Sequence, residues 1–211
     1  MNMFGKKAGN TDGRLAKRQE KRLVEKARAG DQDAARLLVD AHKERLHGFV
    51  WRIMRNHHDS EELCQEAFLK AFANLDSFSA EYRFSTWLFT IAYRLCLNSL
   101  RRKHALSGEI DFSNIASGAA DASEEVAESE EASRLKAAIW EAVDRLSVPQ
   151  RATVLLFYRE EMSCQAVSQV LGMPVATVKS HLHRARARLQ DMLSPAVESD
   201  WTRLRLVSKA G

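Results

Sequence analysis

The chain has 211 residues, of which 45% are hydrophobic and 28% charged, with a formal net charge of +4. This composition is typical of a soluble globular protein. Three cysteines without a CxxC pair argue against a disulfide framework. The apolar runs are too short to span a membrane, and the basic segment 1–22 lacks the apolar stretch of a secretory signal. We therefore expect a cytoplasmic protein without membrane insertion.

Charge is distributed unevenly along the chain. The segment 105–133 contains eight acidic residues and no Lys or Arg, so the rest of the chain carries a net charge of +12. This segment is rich in Ala and Ser and cannot bury enough apolar surface to fold, which predicts a flexible acidic linker. The excess of positive charge elsewhere indicates a polyanionic partner. The chain divides into a basic tail, a first module, the linker, a second module and a C-terminal tail: 1–22, 23–104, 105–133, 134–194 and 195–211.

Helical periodicity runs through the first module. Asp31 can cap a helix that begins at Gln32. Asp59 and Glu62 have the spacing of a capping box, which predicts that the next helix opens there. Apolar residues recur at intervals of three and four in both segments, as they do along a third helix that we predict over 85–103.

The third helix has two distinct sides. Its apolar side comprises Leu88, Ile91, Ala92 and Leu95. Its other side carries an aromatic ring, polar groups and cations, at Trp87, Thr90, Arg94, Asn98, Arg101 and Arg102. Cations beside aromatic rings suit single-stranded or melting nucleic acid, because unstacked bases stack on the rings. The alternative is that Trp87 belongs to the core and that the arginines complement the helix dipole.

The second module is also predicted to be helical. Ser147 and Gln150 have the spacing of another capping box. A short helix over 164–171, a turn at Gly172 and a longer helix over 175–193 then give a helix-turn-helix arrangement. The chain contains no segment that alternates convincingly with a period of two. We therefore predict an all-α fold, in which two small helical domains are joined by the acidic linker.

The longer helix separates apolar from polar residues. Val178, Leu182, Ala185 and Leu189 form a narrow seam at about 100° per residue. The opposite face carries Ser180, His183 and Arg184, with Thr177 and Lys179 on its flanks, so it combines short polar groups with cations. Acidic residues are absent from 175–190. A solvated basic helix in a bundle is the alternative, but the turn, the seam and the acid-free face together favour a helix that reads duplex DNA.

Three stretches resemble one protein family. SEELCQEAFLKAF at 60–72, FSTWLFTIAYRLCLNSLRRK at 84–103 and LSVPQRATVLLFYREEMSCQAVSQVLGMPVATVKSHLHRARARL at 146–189 follow one another in the family's order. The chain thus resembles the bacterial extracytoplasmic-function (ECF) sigma factors of the sigma-70 family. The resemblance covers nearly all of 23–194.

The resemblance implies a promoter-specificity subunit of RNA polymerase that is not an enzyme and needs no cofactor. Glu62, Gln65 and Glu66 would bind the clamp helices of the polymerase β′ subunit. The polar face of the last helix would contact the −35 element. The loop 77–83 and the helix from Trp87 would capture a base of the −10 element. The linker would thread the RNA exit channel, and an anti-sigma factor is a further expected partner.

The chain departs from the family pattern at several positions. Arg94 stands where the family commonly has Asn, which puts the −10 base preference in question. Gln, Ala and Val at 165–167 replace the usual Glu-Ile-Ala. His183 is unusual on a DNA-reading face, and the sequence leaves the role of the tail 195–211 open.

Three other functions remain to be weighed. A helix-turn-helix regulator outside the family would not need the motif at 60–72. A decoy that sequesters an anti-sigma factor would not need basic faces on both modules. An enzyme or metal protein would have to use His57, His58 and Cys64, which lack a further ligand at useful spacing. The sequence offers no nucleophile–base pair and no phosphate-binding glycine loop.

Overall fold

The computed structural model describes residues 17–79, 81–107 and 130–207, and the regular elements within these ranges are all helical. A 3₁₀ turn occupies Leu75–Ser77 and a π turn occupies Leu155–Arg159. The α-helices are α1 (Lys17–Arg28), α2 (Gln32–Met54), α3 (His57–Ala73), α4 (Phe84–Ser107), α5 (Glu130–Asp144), α6 (Val148–Val154), α7 (Cys164–Leu171) and α8 (Val175–Val207). The prediction of an all-α fold is confirmed.

The helix starts of the first module follow local capping. The Asp31 carboxylate accepts a hydrogen bond from the Ala34 amide at 3.0 Å, so α2 begins where the sequence predicts. Helix α3 begins at His57, and the capping box predicted at Asp59 is wrong. The side chain of Asn56 caps this helix instead, accepting from the Asp59 amide at 3.0 Å.

In the second module, too, some helix starts agree with the predicted caps and others do not. Ser147 precedes α6 as predicted, but its side chain makes no capping hydrogen bond. Pro149 in the first turn supplies no amide hydrogen, which removes one donor that such a cap would use. Helix α7 has the predicted bounds, and the Ser163 hydroxyl accepts from the Ala166 amide at 3.2 Å. Helix α8 continues to Val207, well past its expected end.

The ends of the proposed tail and linker are helical. Helix α1 begins at Lys17, inside the segment that we interpreted as a tail, because its residues Glu20 and Val24 are buried. Helix α4 runs to residue 107 and α5 starts at 130, so both extend into 105–133. The central part of the predicted flexible linker, 108–129, lies outside the described residues.

Each module has an apolar centre. In the first, the Phe49 and Phe89 rings lie 5.2 Å apart between α2 and α4. Leu63, Ala67 and Ala71, which recur every four residues along α3, are also buried, with Ala67 and Ala71 completely inaccessible. In the second, the predicted seam of α8 is buried, with relative exposures of 0 to 3% for its four residues. The helical periodicities therefore face the cores that they predict.

The two modules pack against each other. Helix α7 lies on α4, and α6 approaches α2. Buried residues of both modules, including Leu46 and Leu88 from the first and Val167 and Val170 from the second, belong to one continuous apolar cluster. The molecule is therefore closed, with the helix-turn-helix seated beside the aromatic and basic helix.

Charged groups reinforce this contact. The Asp144 carboxylate, at the end of α5, lies 3.1 Å from Arg52 Nη1 and 3.5 Å from Arg55 Nη2. The Arg52 guanidinium lies over the ring of Trp140, 4.2 Å from its centroid. Arg151 donates to the Arg52 carbonyl at 2.9 Å, and burial lowers the pKa of Arg151 to about 10. Two arginines thus pair with one carboxylate at the module boundary, and a third, Arg151, donates to the neighbouring backbone.

Candidate nucleic-acid and polymerase interfaces

The helix-turn-helix is built by a sharp reversal after α7. Gly172 ends α7 with φ +66°, a left-handed conformation that glycine adopts without steric cost. The Ser168 hydroxyl donates to the Met173 carbonyl at 2.6 Å, which closes the turn. Pro174 then precedes the first residue of α8, and its carbonyl accepts from the Thr177 and Val178 amides. This geometry fixes the direction in which α8 leaves the module.

The predicted reading residues lie together on the outer side of α8. Lys179, His183 and Arg184 are exposed, whereas Thr177 and Ser180 are half-buried. Arg184 Nη2 donates to the Ser180 hydroxyl at 2.9 Å, so these two side chains form one polar unit.

His181 is a neighbour that the sequence analysis did not single out. It is half-buried between the seam and the exposed face. Burial, followed by the positive charge of Arg184, lowers the pKa of His181 from its ordinary value. The ring therefore favours its neutral form.

The residues on the basic side of α4 differ in how far they are exposed to solvent. Arg94, Asn98, Arg101 and Arg102 are exposed, while Trp87 and Thr90 are half-buried. The Thr90 hydroxyl donates to the Thr86 carbonyl at 2.8 Å. The Trp87 ring packs on Phe78, with centroids 5.3 Å apart, and on Phe84, at 6.0 Å. Trp87 is therefore part of an aromatic cluster that also reaches the surface.

The loop before α4 adds a second element to this face. Its residues Tyr82 and Arg83 are exposed, Tyr82 to 47%. Both line a cleft of about 380 Å³ that is also lined by Glu160 and Gln165 of the second module. The loop thus lies at the module boundary in the closed molecule.

The outer side of α3 presents a compact polar and apolar surface. Glu62 and Gln65 are exposed. The half-buried Glu66 forms an ion pair with Lys70, with 3.0 Å between Glu66 Oε1 and Lys70 Nζ. Leu69 is 71% exposed and falls within the same arc of about 100°. The sequence analysis missed Leu69, although the helical wheel places it opposite the buried stripe.

Two parts of the chain match models of one protein family. Residues 38–105 match Sigma-70 region 2 and residues 136–189 match Sigma-70, region 4, which together span more than half of the chain. The ECF RNA polymerase sigma factor SigW of Bacillus subtilis is 31% identical over 183 residues, covering 82% of this chain and 96% of that protein. The chain belongs to the ECF sigma factors of the sigma-70 family. It binds core RNA polymerase and directs transcription initiation at promoters, and it is not an enzyme.

Other relatives support the same assignment. The ECF sigma-E factor of Escherichia coli K12 is 29% identical to this sigma factor, covering 83% of this chain and 94% of the relative. The sigma factor RpoE of Bartonella quintana, in complex with the anti-sigma factor NepR, has 27% identity and a TM-score of 0.59, covering 71% and 89% of the two chains. CnrH in complex with the cytosolic domain of CnrY has 24% identity and a TM-score of 0.62, covering 84% and 98%, and shares the fold.

The histidines and cysteine weighed for metal binding are separated in the sigma factor. His57 lies 3.6 Å from Glu61 and His58 lies 3.5 Å from Glu62, both on the exposed side of α3. Cys64 is buried, and this burial raises the pKa of its thiol to about 12. In the described part of the chain, groups of three or more His, Cys, Asp or Glu side chains that could hold a metal ion are absent. Every helix in the described ranges is also too short or too polar to cross a bilayer.

Proposed function

We propose that this sigma factor uses three separate surfaces during initiation. The outer face of α8 reads the −35 element, the basic side of α4 with the loop 77–83 reads the −10 element, and the outer side of α3 binds the β′ clamp helices. The observation that carries the proposal is the exposed, acid-free face of α8, which directly follows the helix-turn-helix turn. The site of action would be the cytoplasm, where core polymerase and promoters meet.

Recognition of the −35 element would use two kinds of contact. Residues in the first turns of α8, Thr177, Lys179 and Ser180, are placed to enter the major groove. His183 and Arg184 follow one turn later and supply groups for a base edge or a phosphate. The hydrogen bond between Ser180 and Arg184 would hold the guanidinium in position before DNA arrives.

Recognition of the −10 element would use a different chemistry. The exposed cations of α4, Arg94, Arg101 and Arg102, would follow the backbone of a melted strand. Tyr82 and the edge of the Phe78–Trp87 cluster offer aromatic surface for an unstacked base. Asn98 and Thr90 provide polar groups between these two features. Arg94 brings a cation to a position where the family commonly has an amide.

Binding to both elements requires the modules to separate. The two elements are centred about 25 base pairs apart, which is about 85 Å of B-DNA. In the closed molecule α7 packs on α4, with the two helix axes about 10 Å apart. Helix α7 is only about 12 Å long. The start of α8, which follows α7, therefore lies within about 25 Å of α4. The 22 residues between α4 and α5 can extend to about 75 Å. Together with the widths of the modules, this reach spans the distance between the elements.

Core polymerase would take the outer side of α3. Glu62 and Gln65 supply charged and polar groups around Leu69, the most exposed large apolar side chain of the described residues. An apolar centre with a polar rim is typical of a protein–protein contact. The polymerase would therefore bind a surface that remains accessible when the modules are closed.

An anti-sigma factor is a further proposed partner. The RpoE structure from Bartonella quintana is a complex with such a factor, and this chain shares 27% identity with it. A regulator that stabilises the closed molecule would keep the −10 loop beside the second module, where Glu160 and Gln165 line the same cleft.

Run-off transcription tests the proposal directly. Purified core polymerase is given a genomic promoter library with and without this protein, and the new transcript starts are mapped. Starts that share −35 and −10 sequences upstream support the proposal and supply the specificity. Core binding without new starts would make the decoy function the better explanation. Failure to bind core would overturn the assignment of α3.

A further inference from the structure

Helix α1 contacts both ends of the loop 77–83, which is the loop proposed to read the −10 element. Helix α1 itself lies outside the residues 38–105 that match region 2. Its residues Arg28 and Glu20 are eight positions apart, which separates them by about 12 Å along the helix axis. Each side chain reaches the segment that joins α3 to α4. The contacts fall on opposite ends of that segment.

Arg28 binds the N-terminal end of the loop. Its Nη2 donates to the carbonyls of Leu75 and Phe78, both at 2.9 Å, and its Nε lies 3.7 Å from Asp76. These carbonyls belong to the 3₁₀ turn and to the residue that follows it. Phe78 in turn carries the ring that packs on Trp87. One guanidinium therefore sets the backbone from which the aromatic cluster is built.

Glu20 binds the C-terminal end of the loop, where α4 begins. Its side chain is 4% exposed, and one oxygen accepts from the Ser85 amide at 3.2 Å, in the first turn of α4. That amide has no partner within its own helix, so a carboxylate from α1 serves as its cap. The other oxygen lies 3.6 Å from Arg83 Nε, and His42 Nε2 lies 3.3 Å from the first.

We infer that Glu20 and Arg28 are positioning residues for −10 recognition, which hold the described loop residues 77–79 and 81–83 in their binding shape before DNA arrives. This inference rests on the proposed −10 function of α4 and the loop. Between these two anchors, Tyr82 remains exposed. A loop ordered in advance loses less conformational entropy on binding, so release of either anchor would weaken −10 binding specifically.

Two substitutions and two matched controls test the inference. Arg28→Lys removes the planar fork that serves two carbonyls, while it keeps the charge. Glu20→Gln removes the negative charge, which weakens the hydrogen bond from the Ser85 amide and ends the ion pair with Arg83. Arg22→Lys and Glu25→Gln make the same chemical changes at exposed positions of α1. All variants are used as full-length protein bound to core polymerase.

The probe is a single-stranded oligonucleotide that carries the −10 sequence of a promoter found by run-off transcription. For Arg28→Lys and Glu20→Gln we expect binding to this probe to weaken about tenfold, with core affinity and −35 duplex affinity within twofold of wild type. The controls should match wild type in all three assays. Arg28→Ala should weaken the −10 probe further than Arg28→Lys does.

Other outcomes overturn specific claims. Unchanged binding to the −10 probe, or an equal loss in all three assays, would show that the two anchors only support the fold and would overturn the inference. If wild-type holoenzyme itself fails to bind the probe, the proposed −10 function of this surface fails, and the inference fails with it. A thermal melt of each variant identifies any general loss of stability.

Discussion

Arg45 of α2 and Glu160, which follows the π turn of the second module, form an ion pair across the module boundary, with Arg45 Nε 2.9 Å from Glu160 Oε2. The Glu160 side chain is 1% exposed and that of Arg45 is 19% exposed. Such a pair contributes most when both partners are present, because loss of one leaves a buried charge without compensation. The pair is therefore one of the contacts that hold the molecule closed, beside the arginines at Asp144 and the apolar cluster.

Glu160→Gln should loosen the closed arrangement. Removal of one partner from a buried pair costs about 3–5 kcal/mol, and partial exposure of Arg45 reduces this to about 2–4 kcal/mol. We expect a larger radius of gyration in small-angle X-ray scattering and a lower thermal midpoint. Glu161→Gln, at the exposed neighbouring position, is the matched control.

A charge swap checks that the contact itself is responsible. The double variant Arg45→Glu with Glu160→Arg should recover compactness that each single reversal loses. If Glu160→Gln remains as compact as wild type, the apolar cluster and the contacts around Asp144 hold the modules together without this pair.

Arg184→Ala should weaken promoter binding and relax the base preference within the −35 element. A bidentate contact to a base contributes about 1–3 kcal/mol of discrimination, so we expect about a tenfold loss on the preferred sequence. Competition binding with −35 duplexes that differ at single positions measures the change. Arg186→Ala is the control, because Arg186 donates to the Tyr158 hydroxyl within its own module.

The control separates specificity from charge. Arg186→Ala removes the same charge from the same helix and should weaken all duplexes equally, with a smaller salt dependence. Equal behaviour of the two variants would contradict a reading role for Arg184.

The elements that the sequence predicts well are those set by local interactions. The bounds of α7 and the seam of α8 follow from caps and apolar spacing within a single segment. Local signals also compete, as at the start of α3, where Asn56 caps the helix ahead of the predicted box. Such errors displace a helix start by a few residues and leave the buried face unchanged.

The contacts that the sequence does not predict join distant charged residues. Arg45 and Glu160 are 115 positions apart, and Arg52 and Asp144 are 92 apart. All four residues are charged, and charged side chains are rarely buried without a partner. The sequence alone therefore suggests an exposed position for each of them. Glu20 was likewise assigned to a basic tail, because its partners Ser85 and His42 lie on other helices.

Glu66→Ala should weaken binding to core polymerase about five- to tenfold while the fold stays intact. The ion pair of Glu66 with Lys70 joins residues one turn apart on the surface and contributes only about 0.3–0.5 kcal/mol to stability. Affinity for core is measured by fluorescence anisotropy, and stability by urea denaturation. Glu61→Ala on the flank of α3 should retain core affinity.

Leu69→Ser should also reduce core affinity, by about tenfold. Its side chain is 71% exposed in the free protein, so the substitution removes apolar area that only a partner can bury. Leu37→Ser is the matched control, because Leu37 is 53% exposed on α2. The same loss of core affinity in both variants would show that the effect is not specific to the α3 surface.

The folded protein should lose stability as the pH rises above 9. Burial raises the pKa of Cys64 from 9.0 to about 12, and burial also raises the pKa of Cys96. Below pH 9 both thiols stay protonated in the folded and unfolded chains, so their effect on stability is fully present. Above pH 9 the unfolded chain releases these protons while the folded chain retains them, and unfolding becomes more favourable.

The loss is large enough to measure. At pH 10.5 each thiol should reduce the free energy of unfolding by about 2 kcal/mol relative to pH 9, at 1.36 kcal/mol per pH unit. Urea denaturation at several pH values between 8 and 10.5 gives the slope. The double variant Cys64→Ala with Cys96→Ala should flatten it, and Cys164→Ala should not, since Cys164 lies half-exposed near the turn. An unchanged slope in the double variant would assign the alkaline sensitivity to other groups, foremost Tyr93, whose pKa burial raises to about 12.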